Sequence, residues 1–144
     1  MRLVVDSSVA VKWFVTEGQS DEATAALDHE LIAPQLLLAE CANVFWKKAR
    51  QSEMTAAQAM IAVSNVSGVV ELVGLSNLAM RAVELANRLS HPAYDCFYLA
   101  LAEMERCPLL TADDRLRRKL AEVPEVCVAE VLTLDAPILA RRVP

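Results

Sequence analysis

Short apolar runs alternate along this chain with longer helical patterns, and this alternation restricts the fold more than any other feature. The runs that read as strands are Leu3–Asp6, Leu31–Ala33, Val69–Val73, Pro108–Leu110 and Val126–Ala129. Strands that alternate with helices form a parallel sheet covered by helices. With 144 residues, the chain is long enough for one domain with its own core. The sequence therefore predicts a three-layer α/β/α domain with a central, mostly parallel sheet.

The segments between the predicted strands have helical periodicity. The predicted helices are a short one with Ser8 as its N-cap, then Ser20–Asp28, Gln35–Arg50, one opened by Thr55, Ser76–Leu89, Ala93–Glu105 and Asp113–Ala121. Thr55 with Gln58 three residues later has the pattern of a capping box. We assign residues 1–132 to the folded domain and residues 133–144 to a C-terminal tail without assigned structure.

Four acidic residues stand in apolar surroundings, where an unpaired carboxylate is costly. Asp6 ends the first strand, Glu40 interrupts an apolar helix, Asp95 lies in the first turn of an alanine-rich helix, and Asp113 follows a late strand. Asp6 and Asp113 both end strands, and ligands bind at that edge of an open parallel sheet. Two carboxylates ~4 Å apart repel by roughly 4 kcal/mol. A bound cation would compensate all four acids together.

Each acid also has a structural interpretation. Asp6 could cap a helix, and Glu40 could pair with Lys47 or Lys48 at the edge of the buried stripe. Asp95 could interact with the positive end of its helix. That helix is apolar on nearly every side, so we do not expect solvent to reach Asp95.

Asp113 and Asp114 are adjacent in sequence, but their positions predict different roles. The sequence Thr111-x-x-Asp114 resembles a capping box, so we assign Asp114 to the helix cap first and to a peripheral metal role second. Asp113 is the candidate ligand.

The donor set decides which metal is expected. Carboxylates without nearby histidine or Cys-x-x-Cys pairs favour Mg²⁺ or Mn²⁺ over zinc. The four cysteines, which are Cys41, Cys96, Cys107 and Cys127, are interpreted as reduced thiols, mostly buried. Such an ion activates a water and stabilises a leaving oxygen, so phosphodiester hydrolysis is the predicted reaction. Asp6, Glu40, Asp95 and Asp113 are the predicted catalytic and metal-binding residues.

Composition limits the partners. Hydrophobic residues form 55% of the chain, and some of that excess is expected on the surface as a partner or self-association patch. The net charge of −5 argues mildly against nucleic acid, but local basic clusters occur at Lys47–Arg50, Arg115–Lys119 and Arg141–Arg142. No secretory signal or membrane-spanning run is evident. We expect a cytoplasmic protein without a membrane partner.

The residues Asp6-Ser7-Ser8-Val9, Glu40, Tyr94-Asp95 and Thr111-Ala112-Asp113-Asp114-Arg115 together resemble a PIN-domain protein, and most of all the VapC toxins of toxin–antitoxin pairs. The resemblance covers about residues 2 to 130. It implies cleavage of single-stranded RNA with Mg²⁺ or Mn²⁺, a homodimer, and inhibition by a VapB-type antitoxin.

The resemblance also implies roles for single residues. The hydroxyls of Ser7 and Thr111 would orient ligands or water. Arg115 and Lys12 would contact the RNA backbone, with Lys47–Lys48 as weaker candidates. Cys96 stands where alanine is more common, which would leave its thiol close to the pocket.

Two other interpretations stay open from the residues alone. Asp6-x-Ser8 nearly matches the start of von Willebrand factor A-type domains, in which a metal supports protein binding and nothing is cleaved. A catalytically silent PIN-like scaffold is the second. A phosphatase of the haloacid-dehalogenase type would need aspartate where Ser8 stands.

Overall fold

The computed structural model describes residues 1–140 and confirms an α/β fold. The strands are β1 (Arg2–Val5), β2 (Glu30–Pro34), β3 (Glu71–Val73), β4 (Leu109–Thr111) and β5 (Val131–Thr133). The helices are α1 (Ser7–Ala10), α2 (Ser20–Ala25), α3 (Leu36–Arg50), α4 (Ala56–Val69), α5 (Ala79–Leu89), α6 (Ala93–Glu105), α7 (Asp114–Glu122) and α8 (Pro137–Ala140). Short 3-10 turns extend α1 over Val11–Trp13 and α2 over Ala26–Asp28.

The five strands form one parallel sheet in the order β3-β2-β1-β4-β5. The chain first moves from β1 through β2 to β3 and then returns to the other side of β1. The strand order therefore reverses between β1 and β4, the place where open parallel sheets bind ligands. Right-handed crossovers place α3 and α4 on one face of the sheet and α5 and α6 on the other, and each pair packs together.

The core lies between the sheet and these helices and is mainly aliphatic. Leu3, Val4 and Val5 of β1 are completely buried, as expected for a central parallel strand covered on both faces. Helix α6 is the most deeply buried helix segment, because Tyr98–Ala102 all pack inside. The apolar character on nearly every side of α6 thus reflects its central position.

Several sequence-based boundaries need correction. The last strand is Val131–Thr133, and the predicted strand at Val126–Ala129 is wrong. Backbone pairing explains the error, because β5 pairs with β4 through Leu109 and Val131, whereas Val126 and Cys127 are buried without belonging to the sheet. The predicted strand Val69–Val73 starts later, at Glu71, because α4 continues to Val69, and α5 starts at Ala79, later than the predicted Ser76.

The C-terminal residues that the structure describes pack on the domain. Leu134 and Leu139 are buried, and α8 contacts α2. Arg141–Arg142, one of the basic clusters in the sequence, lies outside the described residues. Within residues 1–140, no helix combines the length and apolar character needed to cross a bilayer.

The expected surface excess of apolar side chains is present. Large hydrophobic residues that are at least half exposed are Met1, Trp46, Met60, Ile61, Met80, Val83, Tyr94 and Val128. All four cysteines are free thiols, and Cys41, Cys96 and Cys127 are buried, which agrees with their interpretation as small hydrophobic residues.

Candidate active site

A small pocket opens at the carboxyl edge of the sheet, where the strand order reverses. Its volume is about 140 Å³, and its walls come from the ends of β1 and β4 and from α3, α6 and α7. The residues that line it are Asp6, Ser7, Ser8, Glu40, Asp95, Tyr98, Thr111, Asp113, Arg115 and Leu116. The structure thus places the four predicted acids, which are remote in sequence, around one cavity.

Asp6 connects β1 to α1 at the base of this pocket. Its side chain caps α1 by accepting from the Val9 backbone N–H at 3.3 Å, so the helix begins at Ser7 and the predicted Ser8 cap is wrong. The hydroxyls of Ser8 and Thr111 each donate to Asp6 at 2.5 Å. Burial raises the pKa of Asp6 to about 6, and the charge of Asp95 adds to the increase, although the hydrogen bonds oppose it. Asp6 therefore caps α1 and also lines the pocket.

Ser8, which the sequence did not single out for the site, binds both Asp6 and the neighbouring strand end. Its Oγ accepts from the Ala112 backbone N–H at 2.9 Å while donating to Asp6. Ser8 therefore joins the ends of β1 and β4, and Ser7 lines the pocket beside it. The spacing of two residues from Asp6 was the available signal, because a hydroxyl at that position can reach back to the carboxylate.

Glu40 lies on α3 and is held by Tyr98 of α6. The Tyr98 hydroxyl donates to Glu40 Oε1 at 2.6 Å, and the tyrosine ring is almost completely buried. Pairing of Glu40 with Lys47 or Lys48 is therefore wrong. Burial raises the pKa of Glu40, and the negative charge of Asp95 adds to this, while the hydrogen bond from Tyr98 lowers it. Burial and the nearby Glu40 carboxylate also raise the pKa of the Tyr98 phenol.

Asp95 points its carboxylate towards His91, which lies two residues before the start of α6. The distance from His91 Nε2 to Asp95 Oδ2 is 2.5 Å. The histidine side chain is only 6% exposed, and its Nδ1 is buried without a hydrogen-bond partner. The Asp95 side chain is 40% exposed, so the expectation that solvent would not reach it is wrong. Its position in the first turn puts it at the open end of an otherwise buried helix.

His91 and Tyr98 were not predicted as site residues. The separation of four residues between His91 and Asp95 could have identified the first of them. Tyr98 carries no such signal, because its partner Glu40 is 58 positions away in sequence.

Asp113 caps α7 and binds Arg115 through its side chain. The carboxylate accepts from the Arg115 backbone N–H at 3.0 Å and from the guanidinium at 2.6 Å. Arg115 holds the pKa of Asp113 below its usual value. Asp114 is the first residue of α7 and pairs with Arg117 at 2.5 Å. The predicted capping box is therefore wrong, because Thr111 directs its hydroxyl to Asp6.

Thr111 is the one polar residue that is buried in the core among residues 1–140. Besides donating to Asp6, its Oγ1 accepts from the Asp113 backbone N–H at 3.0 Å. The predicted hydroxyl role of Thr111 thus has a structural basis, since this side chain contacts one candidate ligand directly and fixes the backbone of another.

The donors around the pocket fit a hard divalent cation by chemistry. They are carboxylates and hydroxyls, which Mg²⁺ and Mn²⁺ prefer, and two of the carboxyl groups have raised pKa values from burial and mutual repulsion. Among the described residues, however, no three His, Cys, Asp or Glu side chains form a group that could hold a metal ion. The four acids surround the cavity, but two of them already have partners. Arg115 pairs with Asp113, and His91 lies within hydrogen-bond distance of Asp95.

Cys96 does not contribute to the lining. Its side chain is completely buried, and the described pocket walls do not include it. Burial raises the pKa of this thiol to about 11, and the charge of Asp95 adds to the increase. The Cys96 thiol therefore does not line the pocket, and its closeness to the pocket stays a prediction.

Comparison with known proteins identifies the fold family. The family model described as PIN domain matches residues 3–121. The chain belongs to the PIN domain family. This membership rules out the von Willebrand factor A-type interpretation of Asp6-x-Ser8.

Two curated PIN-domain relatives are similar over most of their length. Ribonuclease VapC3 of Pyrobaculum aerophilum is 32% identical over 124 residues, which cover 83% of this chain and 95% of the relative. Ribonuclease VapC9 of Mycobacterium tuberculosis is 34% identical over 115 residues, which cover 79% of this chain and 87% of the relative.

Solved structures share the fold of this PIN domain. The crystal structure of PAE2754 from Pyrobaculum aerophilum has a TM-score of 0.70 at 21% identity, covering 98% of this chain and 88% of that one. VapBC2 from Rickettsia felis, solved with a promoter DNA fragment, has a TM-score of 0.67 at 14% identity, covering 92% and 98%.

Proposed function

We propose that this PIN-domain protein is an endoribonuclease that hydrolyses RNA phosphodiester bonds with Mg²⁺ or Mn²⁺ and acts as the toxin of a toxin–antitoxin pair. The observation that carries the proposal is the arrangement of Asp6, Glu40, Asp95 and Asp113 around one pocket at the point of strand reversal. The names of the two relatives as ribonucleases support the substrate class.

The roles of the acids follow from their surroundings. Asp6, Asp95 and Asp113 would hold the ion, directly or through water, and Glu40 would bind it or polarise the attacking water. A divalent ion held there supplies charge neutralisation and activation of a water and a phosphate oxygen. Asp6 is fixed from two sides by Ser8 and Thr111, so its position does not depend on a ligand.

Hydrolysis requires a base and a route for the proton. The oxygen of water bonds to phosphorus as the bond from phosphorus to one ribose oxygen breaks. One water proton passes to a carboxylate, and the departing ribose oxygen takes up a proton from solvent. Glu40 suits this role because burial raises its pKa, which makes it a stronger base than an exposed glutamate. Tyr98 fixes the orientation of Glu40.

Arg115 and Lys12 are the proposed contacts to the RNA backbone. Arg115 is exposed at the mouth of the acidic pocket, with 73% of its side chain accessible. Its guanidinium is suited to phosphate. Lys12 lines the adjoining cavity. RNA that approaches could draw Arg115 from Asp113 to a phosphate and leave the carboxylate free.

The proposed protein partners are a VapB-type antitoxin and a second copy of this chain. A groove of about 640 Å³ offers a surface for an amphipathic antitoxin helix, because apolar residues (Phe14, Val15, Met54, Ile61 and Ala62) line it together with polar ones (Thr16, Glu53, Gln58 and Asn65). The exposed apolar side chains elsewhere suit a homodimer. The proposed location is the cytoplasm.

The test is incubation of the purified protein with a panel of tRNAs and structured RNAs. Cleavage is expected with Mg²⁺ or Mn²⁺ and is expected to stop with chelator or in Asp6→Asn. Asp21→Asn is the matched control, because it neutralises an exposed aspartate in the first turn of α2 that lines neither the acidic pocket nor the cavity beside it. Cleavage that ignores chelation or survives Asp6→Asn would refute the mechanism, and intact RNA under every condition would favour the silent scaffold.

A further inference from the structure

A second, larger cavity adjoins the acidic pocket, and we call it the basic pocket. Its volume is about 640 Å³, and it is lined by Ser7, Ser8, Val11, Lys12, Glu17, Val44, Lys48, Ala112, Asp113, Asp114 and Arg115. Four of these residues, Ser7, Ser8, Asp113 and Arg115, also line the acidic pocket. The two pockets are therefore neighbours along these four residues.

Two lysines from separate elements meet in the basic pocket. Lys12 lies in the 3-10 turn after α1, and Lys48 lies in the last turn of α3. Lys12 Nζ donates to the Gly18 carbonyl oxygen at 2.7 Å, and Lys48 Nζ lies 2.9 Å from Glu53 Oε2. Their side chains are only 13% and 22% exposed, which is low for lysine. Both ammonium groups are thus fixed in place.

Glu17 stands between the two lysines. Its Oε1 lies 3.4 Å from Lys12 Nζ, and its Oε2 lies 3.6 Å from Lys48 Nζ. The backbone of Glu17 is itself fixed, because Ser20 Oγ donates to the Glu17 carbonyl oxygen at 2.7 Å and accepts from its N–H at 3.0 Å. Lys12 Nζ uses two of its three donors, for Glu17 and Gly18, and Lys48 Nζ has one close partner, Glu53, so each ammonium group keeps at least one donor for a ligand.

The basic pocket is lined by three acids and three bases, so its charges balance in the free protein. Of the three acids that line it, Asp113 pairs with Arg115, and Asp114 pairs with Arg117 and Arg118. Glu17 is therefore the acid that faces both lysines from within. Glu53, the other partner of Lys48, lines the groove proposed for the antitoxin and not the basic pocket. An anion that binds the two lysines must therefore compete with Glu17 for them.

We infer that Lys12 and Lys48 form a binding subsite for a phosphodiester group that flanks the one to be cleaved, with Glu17 positioning the lysines and weakening the subsite. This inference rests on the proposed ribonuclease function, because it takes RNA as the ligand. The inference gives a role to Lys48 but not to Lys47, although the two lysines are adjacent in sequence and carry the same charge. Lys47 is exposed and lies on a different surface with Trp46 and Arg50.

The contrast between Lys47 and Lys48 defines the experiment. Binding of a fluorescent single-stranded RNA of mixed sequence is measured by anisotropy across a salt series, in Asp6→Asn protein with chelator so that nothing is cleaved. Lys12→Met and Lys48→Met are each expected to lower affinity several-fold. Each should reduce the slope of log K against log salt by about 0.7, the value for one lost phosphate contact on a single strand. Lys47→Met, which removes the same charge, is expected to leave the slope unchanged.

A second variant tests the subsite in a way that misfolding cannot imitate, because it is expected to raise the affinity for RNA. In Glu17→Gln, Gly18 and Glu53 still hold the lysines, but the opposing charge is gone, so RNA should bind more tightly and with a steeper salt slope. Glu22→Gln, an exposed acid on α2, is the matched control with no expected change in slope.

Two results would overturn the subsite. One is an equal loss of affinity in Lys47→Met and Lys48→Met, which indicates non-specific attraction. The other is a Glu17→Gln variant that binds no better than its control. Either result leaves the ribonuclease proposal standing if the protein with Asp6 intact cleaves RNA in a metal-dependent way, so the two failures can be told apart.

Discussion

Asp6→Asn should make the metal-free protein more stable while abolishing cleavage. The pKa of Asp6 rises from 3.8 to about 6 on folding because the carboxyl group is buried. That increase corresponds to about 3 kcal/mol of unfavourable free energy when the group is ionised in both states. Asparagine removes the charge and keeps an oxygen for Ser8 and Val9, but its amide fits Thr111 less well, which costs about 1 kcal/mol. The expected net gain at pH 7.5 is about 2 kcal/mol.

The pH dependence of this gain has a definite sign. The folded protein binds the Asp6 proton more tightly than the unfolded chain, so stability falls as pH rises through the interval from 3.8 to about 6. The penalty is complete above that interval and absent below it. The stability gain of Asp6→Asn over the unmodified protein should therefore be largest at neutral pH, fall to zero at about pH 4.5 and become a loss of up to about 1 kcal/mol at lower pH, where only the cost of the amide remains.

Urea denaturation with chelator, followed by circular dichroism at several pH values, measures both effects. Asp114→Asn is the control, and this change at an exposed ion pair should cost no more than about 1 kcal/mol and give no gain. If Asp6→Asn were less stable than the unmodified protein at pH 7.5, or if the difference did not change between pH 4 and 7.5, the account of Asp6 as an uncompensated buried carboxylate would be wrong.

The remaining predictions concern the other pocket residues. Tyr98→Phe removes the hydrogen bond that stabilises ionised Glu40, so the acid limb of the pH–rate profile should shift to higher pH; an unchanged profile would contradict the role of the hydroxyl. Arg115→Met frees Asp113, so the affinity for Mn²⁺, measured by calorimetry, should rise while RNA affinity falls; a parallel loss of both would argue against competition between the arginine and the ion. Saturation with Mg²⁺ at about 100 times its dissociation constant should stabilise the unmodified protein by about 2.7 kcal/mol and leave Asp6→Asn nearly unaffected, as thermal melts can check.

The amino-acid sequence was sufficient to predict the order and type of most elements. Apolar runs with helical segments between them gave the parallel α/β class, and the capping box at Thr55 and Gln58 is present as predicted. These signals are local, since strand and helix periodicity and helix caps depend on residues a few positions apart. The same locality explains why the last strand was misplaced. Val126–Ala129 and Val131–Thr133 are similar in composition, and only pairing with β4 selects the second.

The candidate ligands were also visible in the sequence, because an acid in an apolar setting is conspicuous wherever it occurs. Their immediate partners were not. Tyr98 reaches Glu40 across two helices, and Thr111 reaches Asp6 across two adjacent strands. His91 and Arg115 are close in sequence to Asp95 and Asp113, but only the folded backbone shows that they bind those carboxylates.

The tertiary structure also decided which of two adjacent lysines faces the site. The helical rotation of about 100° per residue sends Lys47 and Lys48 of α3 to different surfaces, and only Lys48 lines the cavity beside the acidic pocket. Residue type and spacing thus determined which chemistry this chain can carry. The crossover from β3 back to β4 beside β1 determined where those groups meet, because contacts between segments remote in sequence arise only when the sheet assembles.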